Sequence, residues 1–216
     1  MKKFIYLIAF AFILSCSKDN NKPSRYPEPF SISFKIDGKS YSKTLKQDEL
    51  HFVTYSGGNG SNGAITYNLG PVFETGPLEQ IYFTIGNYHH LNNDTAGNMA
   101  RLKYLCRPGN KTFICFNQCD TAAIDAVQVN FMDDPQGVIY WSSTKRKMSG
   151  GVTVQASADQ PNGEFKVTEV IETPTTGSTK NAVIIKGTFK CTLWEVDTEN
   201  SKQLTDGQFT CLIPAL

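Results

Sequence analysis

The sequence predicts an all-β fold, an antiparallel β-sandwich of about ten strands with one short amphipathic helix. Three observations predict it. Short runs alternate apolar and polar residues, which puts every second side chain on a core face. Clusters of Gly, Pro, Asn, Asp and Ser separate these runs at short intervals, as strands joined by turns require. Seventeen glycines and a charged fraction of only 19% suit turns and half-buried strands better than long surface helices.

Taken in order, Phe30-Ser-Ile-Ser-Phe-Lys-Ile36 alternates strictly, Asp37-Gly38 supplies a turn, and Lys39 to Lys43 returns. Asp-Gly between alternating runs is a strong hairpin signal, because both turn residues must tolerate positive φ. Strands are expected at 51–55, 64–69 and 80–88, the last with Ile81, Phe83 and Ile85 on one face. Further strands are expected at 112–116, at 126–132 with Val127, Val129 and Phe131 aligned, and at 138–142, 152–156, 164–171, 182–196 and 208–213. Turns are expected at 56–63, 107–110, 134–137, 159–163 and 173–178. The glycine-rich 56–63 segment reads as a mobile loop, since no Lys-Ser/Thr pair or helix follows to cradle a phosphate. One segment differs: Met99, Leu102 and Leu105 recur three apart after a capping Thr95, predicting a short helix over 95–106.

The N-terminus carries an address. Lys2-Lys3 precedes eleven uncharged, mostly apolar residues, Phe4 to Leu14, the proportions of a secretory signal and too short to span a bilayer as a helix. Ser15-Cys16 then resembles the end of bacterial lipoprotein signals, which implies cleavage before Cys16 and acylation of that cysteine. Each buried CH₂ of such a lipid contributes about 0.8 kcal/mol, so several acyl chains anchor a soluble domain durably. Ser17-Lys18-Asp19-Asn20 is similar to the short polar tag of surface-exported lipoproteins of the Bacteroidetes. The segment to Pro29, with Pro23 and Pro27, is too polar to fold and reads as a tether. The expected organisation is a signal peptide over 1–15, a lipidated cysteine and tether over 16–29, and one β domain over 30–216. The expected localisation is the outer membrane, on the cell surface or the periplasmic face.

Near the C-terminus, Lys186-Gly187-Thr188-Phe189 and Thr205-Asp206-Gly207-Gln208-Phe209 resemble the closing G-T-F … T-D-G-x-F hairpin of uncharacterised Bacteroidetes lipoproteins, and Phe34-Lys35-Ile36-Asp37-Gly38-Lys39 resembles their opening hairpin. The resemblance implies a secreted β-sandwich and brings no catalytic residues with it.

Charge excludes one partner class. Without Lys2 and Lys3 the 21 basic residues fall to 19 against 20 acids, and no basic stripe is present, so nucleic acid is not expected as a partner. With Cys16 assigned to lipid, Cys106, Cys115, Cys119, Cys191 and Cys211 remain, an odd number that leaves at least one thiol outside a bridge. The runs around Cys191 and Cys211 share an alternation that makes them candidates for facing one another. Cys115–Cys119 and Cys106–Cys119 are both open as a second bridge.

No catalytic constellation is legible. His89-His90 invites a metal reading, but neighbouring residues on a strand point to opposite faces, and Cys-x8-Cys-x3-Cys is not a ligand spacing. Asp133-Asp134 and other loop aspartates lack calcium-loop spacing, and Asp in turns usually bonds its own backbone. Among Glu164, Glu169, Glu172 and Glu195 no pair marks a glycosidase cleft. Gly-x-Ser-x-Gly is absent. No cofactor or metal is expected. Tyr140-Trp141 and His89-His90 are the candidate ligand-surface residues, aromatic rings being suited to stacking on sugars, although alternation turns one of Tyr140 and Trp141 inward. The expected function is a membrane-anchored binding or structural module of the envelope, for a glycan or an envelope protein. A lipid-anchored hydrolase of envelope or extracellular polymer is the alternative, and an immunity or inhibitor lipoprotein is a third reading.

Overall fold

The computed structural model describes residues 30–45, 51–59, 64–74, 79–86, 103–114, 126–133, 140–149, 152–157, 159–173 and 182–214. Cys16, His89, His90, Cys115, Cys119 and the tether lie outside them. The fold is all-β. Among the described residues there are thirteen strands: β1 (Phe30–Ile36), β2 (Lys39–Leu45), β3 (His51–Asn59), β4 (Ala64–Glu74), β5 (Gln80–Gly86), β6 (Gly109–Phe113), β7 (Ala126–Met132), β8 (Tyr140–Ser142), β9 (Lys145–Ser149), β10 (Val152–Ser157), β11 (Glu164–Glu172), β12 (Ala182–Glu195) and β13 (Ser201–Pro214). Of the helix expected over 95–106, residues 103–106 are described and are helical.

Hydrogen bonding joins eleven strands into one sheet, in the order β2-β1-β13-β12-β11-β6-β7-β5-β4-β3 with β8 bridging β12 and β7; β9 and β10 form a separate hairpin. A sandwich of two sheets was expected; these pairings give a single sheet, antiparallel except where β6 runs parallel to β7. That sheet closes over its own core. β1 and β7 stand five places apart in the order, about 24 Å if the sheet were flat, yet the rings of Phe34 and Phe131 are 6.1 Å apart. Phe83 of β5 likewise meets Phe209 of β13 at 5.1 Å and Phe165 of β11 at 5.3 Å. Burying these rings with Ile32, Ile81, Val129, Ile185 and Leu193 is the main force holding the curl.

Between β12 and β7 the sheet splits. At one end β11 and β6 lie between them; at the other only β8 does, pairing Ser142 and Trp141 with Trp194 and Glu195. The main chain beside the split is satisfied individually: Ile114 N–H donates to Val127 O at 3.0 Å, and Ser143 N–H to Val129 O at 2.8 Å. The carboxamide of Gln160 completes the closure. Its Oε1 accepts from Thr192 N–H at 2.8 Å, while its Nε2 donates to Thr192 O at 2.7 Å and Ser143 O at 2.8 Å. A side-chain amide thus takes the place of a missing strand's peptide group. Pro161 and Asn162 hold it there in a turn closed by Gly163 N–H on Gln160 O.

Local sequence accounts for the hairpins. Asp37 and Gly38 take φ of 47° and 85° between β1 and β2, as the Asp-Gly pair predicts. The segment expected as a loop from Ser56 is instead strand to Asn59, pairing Gly57 with Thr66 and Gly58 with Ile65, because a glycine retains both ladder groups. Asp206-Gly207 is not a turn. Asp206, with φ of 54°, sits in a bulge within β13 that shifts register against both neighbours, β1 and β12.

The two G-x-F triplets explain one another. Antiparallel pairing sets Gly187 opposite Phe209, Thr188 opposite Gln208 and Phe189 opposite Gly207. Each ring occupies the space beside the facing glycine: a Cβ on Gly187 would stand 2.7 Å from Phe209 Cε1, and one on Gly207 would stand 2.6 Å from Phe189 Cδ1. Reciprocal Gly–Phe pairs therefore place two aromatics at the centre of the core.

Candidate functional site

The other face of this same hairpin carries a polar surface. Strand alternation turns the residues between the core positions outward, and pairing aligns them into two rows across β2, β1, β13 and β12. One row runs Ser42, Ser33, Gln208, Thr188; the next runs Thr44, Ser31, Thr210, Lys186. Neighbours within a row are about 4.8 Å apart and the rows about 7 Å apart, the spacings of a pleated sheet. These residues line a trough of about 370 Å³ whose far wall is Thr168 of β11. The inward-facing Ile32, Gly187 and Phe209 lend their backbone to its floor.

The trough is polar. Seven of its eight row residues carry hydroxyl or carboxamide groups, each able to donate and to accept. Lys43 and Lys186 are its cations; Lys186 is paired with Glu169 at 3.1 Å, and Thr168 Oγ1 donates to Lys186 O at 3.2 Å, fixing that wall. Gly187 sets the depth: its lack of a side chain lets Phe209 lie flat beneath the floor. No carboxylate pair is available for acid–base chemistry here. Glu164 faces Lys190 at 3.9 Å, and Glu172 faces Lys103 at 2.6 Å. Glu195 accepts from Thr198 Oγ1 at 3.0 Å and Asn200 Nδ2 at 2.7 Å, holding the β12–β13 turn. Among the described residues no group of three or more His, Cys, Asp or Glu side chains is placed to hold a metal ion.

No family model matches the chain, and neither a curated protein nor a solved structure does.

Of the ligand-surface residues singled out from sequence, Trp141 and Tyr140 are described, and they lie outside the trough. Trp141 is only 6% exposed; its Nε1 donates to Asp133 Oδ1 at 3.0 Å, and Lys202 Nζ lies 4.0 Å above its ring while pairing with Asp133. That ring is covered by a cation and is not an open stacking platform, which corrects the ligand-surface reading. Tyr140 is half-buried and hydrogen-bonded through its hydroxyl to that of Tyr82 at 2.9 Å.

The Cys191–Cys211 bridge is also corrected: both thiols are free and buried, as is Cys106. The hairpin turn fixes a register in which Cys211 faces Ile185 and Cys191 faces Leu204. The two cysteines are therefore about 20 Å apart along the strands, beyond the roughly 7 Å that a disulfide spans. Burial pushes the Cys106 thiol up to about 12, with Lys111 acting weakly against it.

Two features escaped the sequence reading. The trough did, because its rows are assembled from strands distant in the chain. So did a buried polar layer on the outer face of β7 and β8: Gln128 Nε2 donates to Asn130 Oδ1 at 3.1 Å and to Ser142 Oγ at 2.8 Å, and Ser142 Oγ also accepts from Thr144 N–H at 3.2 Å. In the sequence, Gln128 and Asn130 read only as the polar half of an alternating strand.

Proposed function

We propose that this chain is an exported, lipid-anchored binding module of the bacterial cell envelope, held through Cys16 and a polar tether, and that its trough receives a neutral polysaccharide. The observation that carries the ligand class is the double row of Ser, Thr and Gln side chains, seven of eight row positions, the eighth being Lys186 paired with Glu169. A sugar chain offers the same mixed donors and acceptors. No exposed aromatic ring lines the trough, so recognition rests on hydrogen bonds, each contributing about 1 kcal/mol net. Affinity for one short segment is accordingly low. Many anchored copies meeting one long polymer raise it by avidity, which fits a protein fixed to a surface.

The test uses the full-length lipoprotein purified in detergent, run through native gels containing a neutral β-glucan, a mannan or anionic alginate. Retardation by a neutral polymer that is lost in Gln208→Ala and Thr188→Ala supports the reading. Equal mobility in every gel, or retardation by alginate alone, overturns it, and release of reducing ends would favour an anchored hydrolase instead. Protease shaving of intact cells, followed by immunoblot beside a periplasmic control, assigns the face of the membrane.

A further inference from the structure

The row that begins at Ser42 continues past the trough. Pairing carries it from Ser42, Ser33, Gln208 and Thr188 to Lys166 of β11 and Asn110 of β6, across six strands. It ends there, because β7 meets β6 only from Thr112 onward. The row beside it stops sooner: Lys186 stands opposite Glu169 and is tied to it at 3.1 Å. On the other side lie two further ion pairs, Lys35 with Asp206 at 2.9 Å and Lys190 with Glu164 at 3.9 Å. Between these closed flanks the row itself is open. Ser33 is half-buried and the other five side chains are exposed. Among the described residues none of the six side chains is engaged in a hydrogen bond or an ion pair. All five pairings along the row are antiparallel. Side chains lean along their own strand, so successive positions lean in opposite senses and the row repeats every two strands.

We propose, resting on the reading of the trough as a glycan site, that the glycan crosses the strands along this row as an extended β-1,4-linked chain, one ring to a strand, with Lys166 and Asn110 binding the rings beyond the trough. Each step of the row is about 4.8 Å. A pyranose chain whose 1,4-linkages are equatorial at both ends advances by nearly that distance per ring and runs straight. It also turns every second ring over, so its hydroxyls fall alternately to either side, with the same two-step repeat as the row. An axial linkage coils the chain and loses the match within a few rings. A chain laid along a strand instead would leave the open row: on β1 the outward residue after Ser33 is Lys35, which is held by Asp206. Filling the row takes six rings, the first and last about 24 Å apart. The Lys166 ammonium donates to ring hydroxyls, and the Asn110 carboxamide both donates and accepts.

The experiment is competition in the native gels, with full-length protein in detergent. Gluco-, manno- and N-acetylglucosamine oligosaccharides, all β-1,4-linked and of two, four and six rings, are added to release the protein from the polymer. Maltohexaose, six rings with axial linkages, is the coiled comparison. The expected result is that a β-1,4 series competes, improving by at least about tenfold with each added pair of rings up to six, and that maltohexaose does not compete. Asn110→Ala and Lys166→Ala should each weaken competition by the hexasaccharide about fivefold, the loss of one net hydrogen bond. Thr112→Ala, on the same strand as Asn110 but off the row, should not. Retardation by a neutral polymer with no competing β-1,4 series, with competition already complete at two rings, or with equal competition from maltohexaose overturns this inference and leaves the trough reading standing. Wild-type competition in both Asn110→Ala and Lys166→Ala does the same. Absence of retardation by every neutral polymer overturns both.

Discussion

Phe189 lies directly opposite Gly207, and its ring covers the space that a side chain at 207 would occupy. Because the pairing is reciprocal with Phe209 and Gly187, each glycine is required by the ring across from it. Gly207→Ala and Gly187→Ala should each cost on the order of 2–3 kcal/mol, since the new methyl meets backbone oxygen as well as the ring. Phe209→Ala should cost about 3–5 kcal/mol, the range for emptying a buried aromatic site. Urea unfolding midpoints check all three, with an unchanged m-value expected.

Gln160 gives an ordered set of stabilities. Gln160→Ala leaves the N–H and C=O of Thr192 and the C=O of Ser143 without that partner, at a cost of about 2–3 kcal/mol. Gln160→Glu should be worse than alanine, because it removes the Nε2 donor and sets a carboxylate against two carbonyl oxygens. Thermal midpoints should fall in the order Gln, Ala, Glu. Equal midpoints for the two variants would show that the amide serves only to fill space.

Alkaline pH should unfold the protein through its paired tyrosines. Burial raises the pKa of both Tyr82 and Tyr140 above 10.0, Tyr140 the more, and each also has the other phenol beside it. In the unfolded chain these phenols ionise near 10; in the fold they hold their protons to higher pH. Their contribution is therefore complete below pH 10 and is lost as pH rises through the raised values. A spectrophotometric titration should show a late-titrating group of tyrosines that vanishes in urea.

The described thiols should be silent in the native protein. With Cys106 pushed up to about 12, its thiolate fraction at pH 8 is about one in ten thousand, and Cys191 and Cys211 are raised by burial as well. Iodoacetamide labelling followed by peptide mass spectrometry should mark none of the three until denaturant is added. Native labelling of Cys191 or Cys211 would contradict the packing described.

What was legible in the sequence follows from locality. The Asp37-Gly38 turn and the Val127–Val129–Phe131 face depend on residues near one another, and both are found as expected. β9 was missed because Lys-Arg-Lys-Met-Ser offers no alternation; what defines it is a partner, β10, through pairs such as Lys147 with Gln155. The Cys191–Cys211 expectation failed for the same reason in reverse: alternation gives the face of a residue but not its register, which the turn and the Asp206 bulge decide. The trough needed Ser31 beside Thr210, a neighbour relation that no local pattern encodes. Trp141 was misread because burial by Lys202 and Asp133 comes from other strands.

The pairing of β1 with β13 has a consequence in time. Ser31 cannot meet Thr210 until the 178 residues between them have been made. Until then, the inner face of β1 has only its hairpin mate β2, and a lone two-stranded hairpin is marginal in water. The slow step is a long loop closure made late. Such a chain stays open while it is synthesised and closes when β13 arrives, so the order of synthesis and the order of folding are set by the same pair of strands.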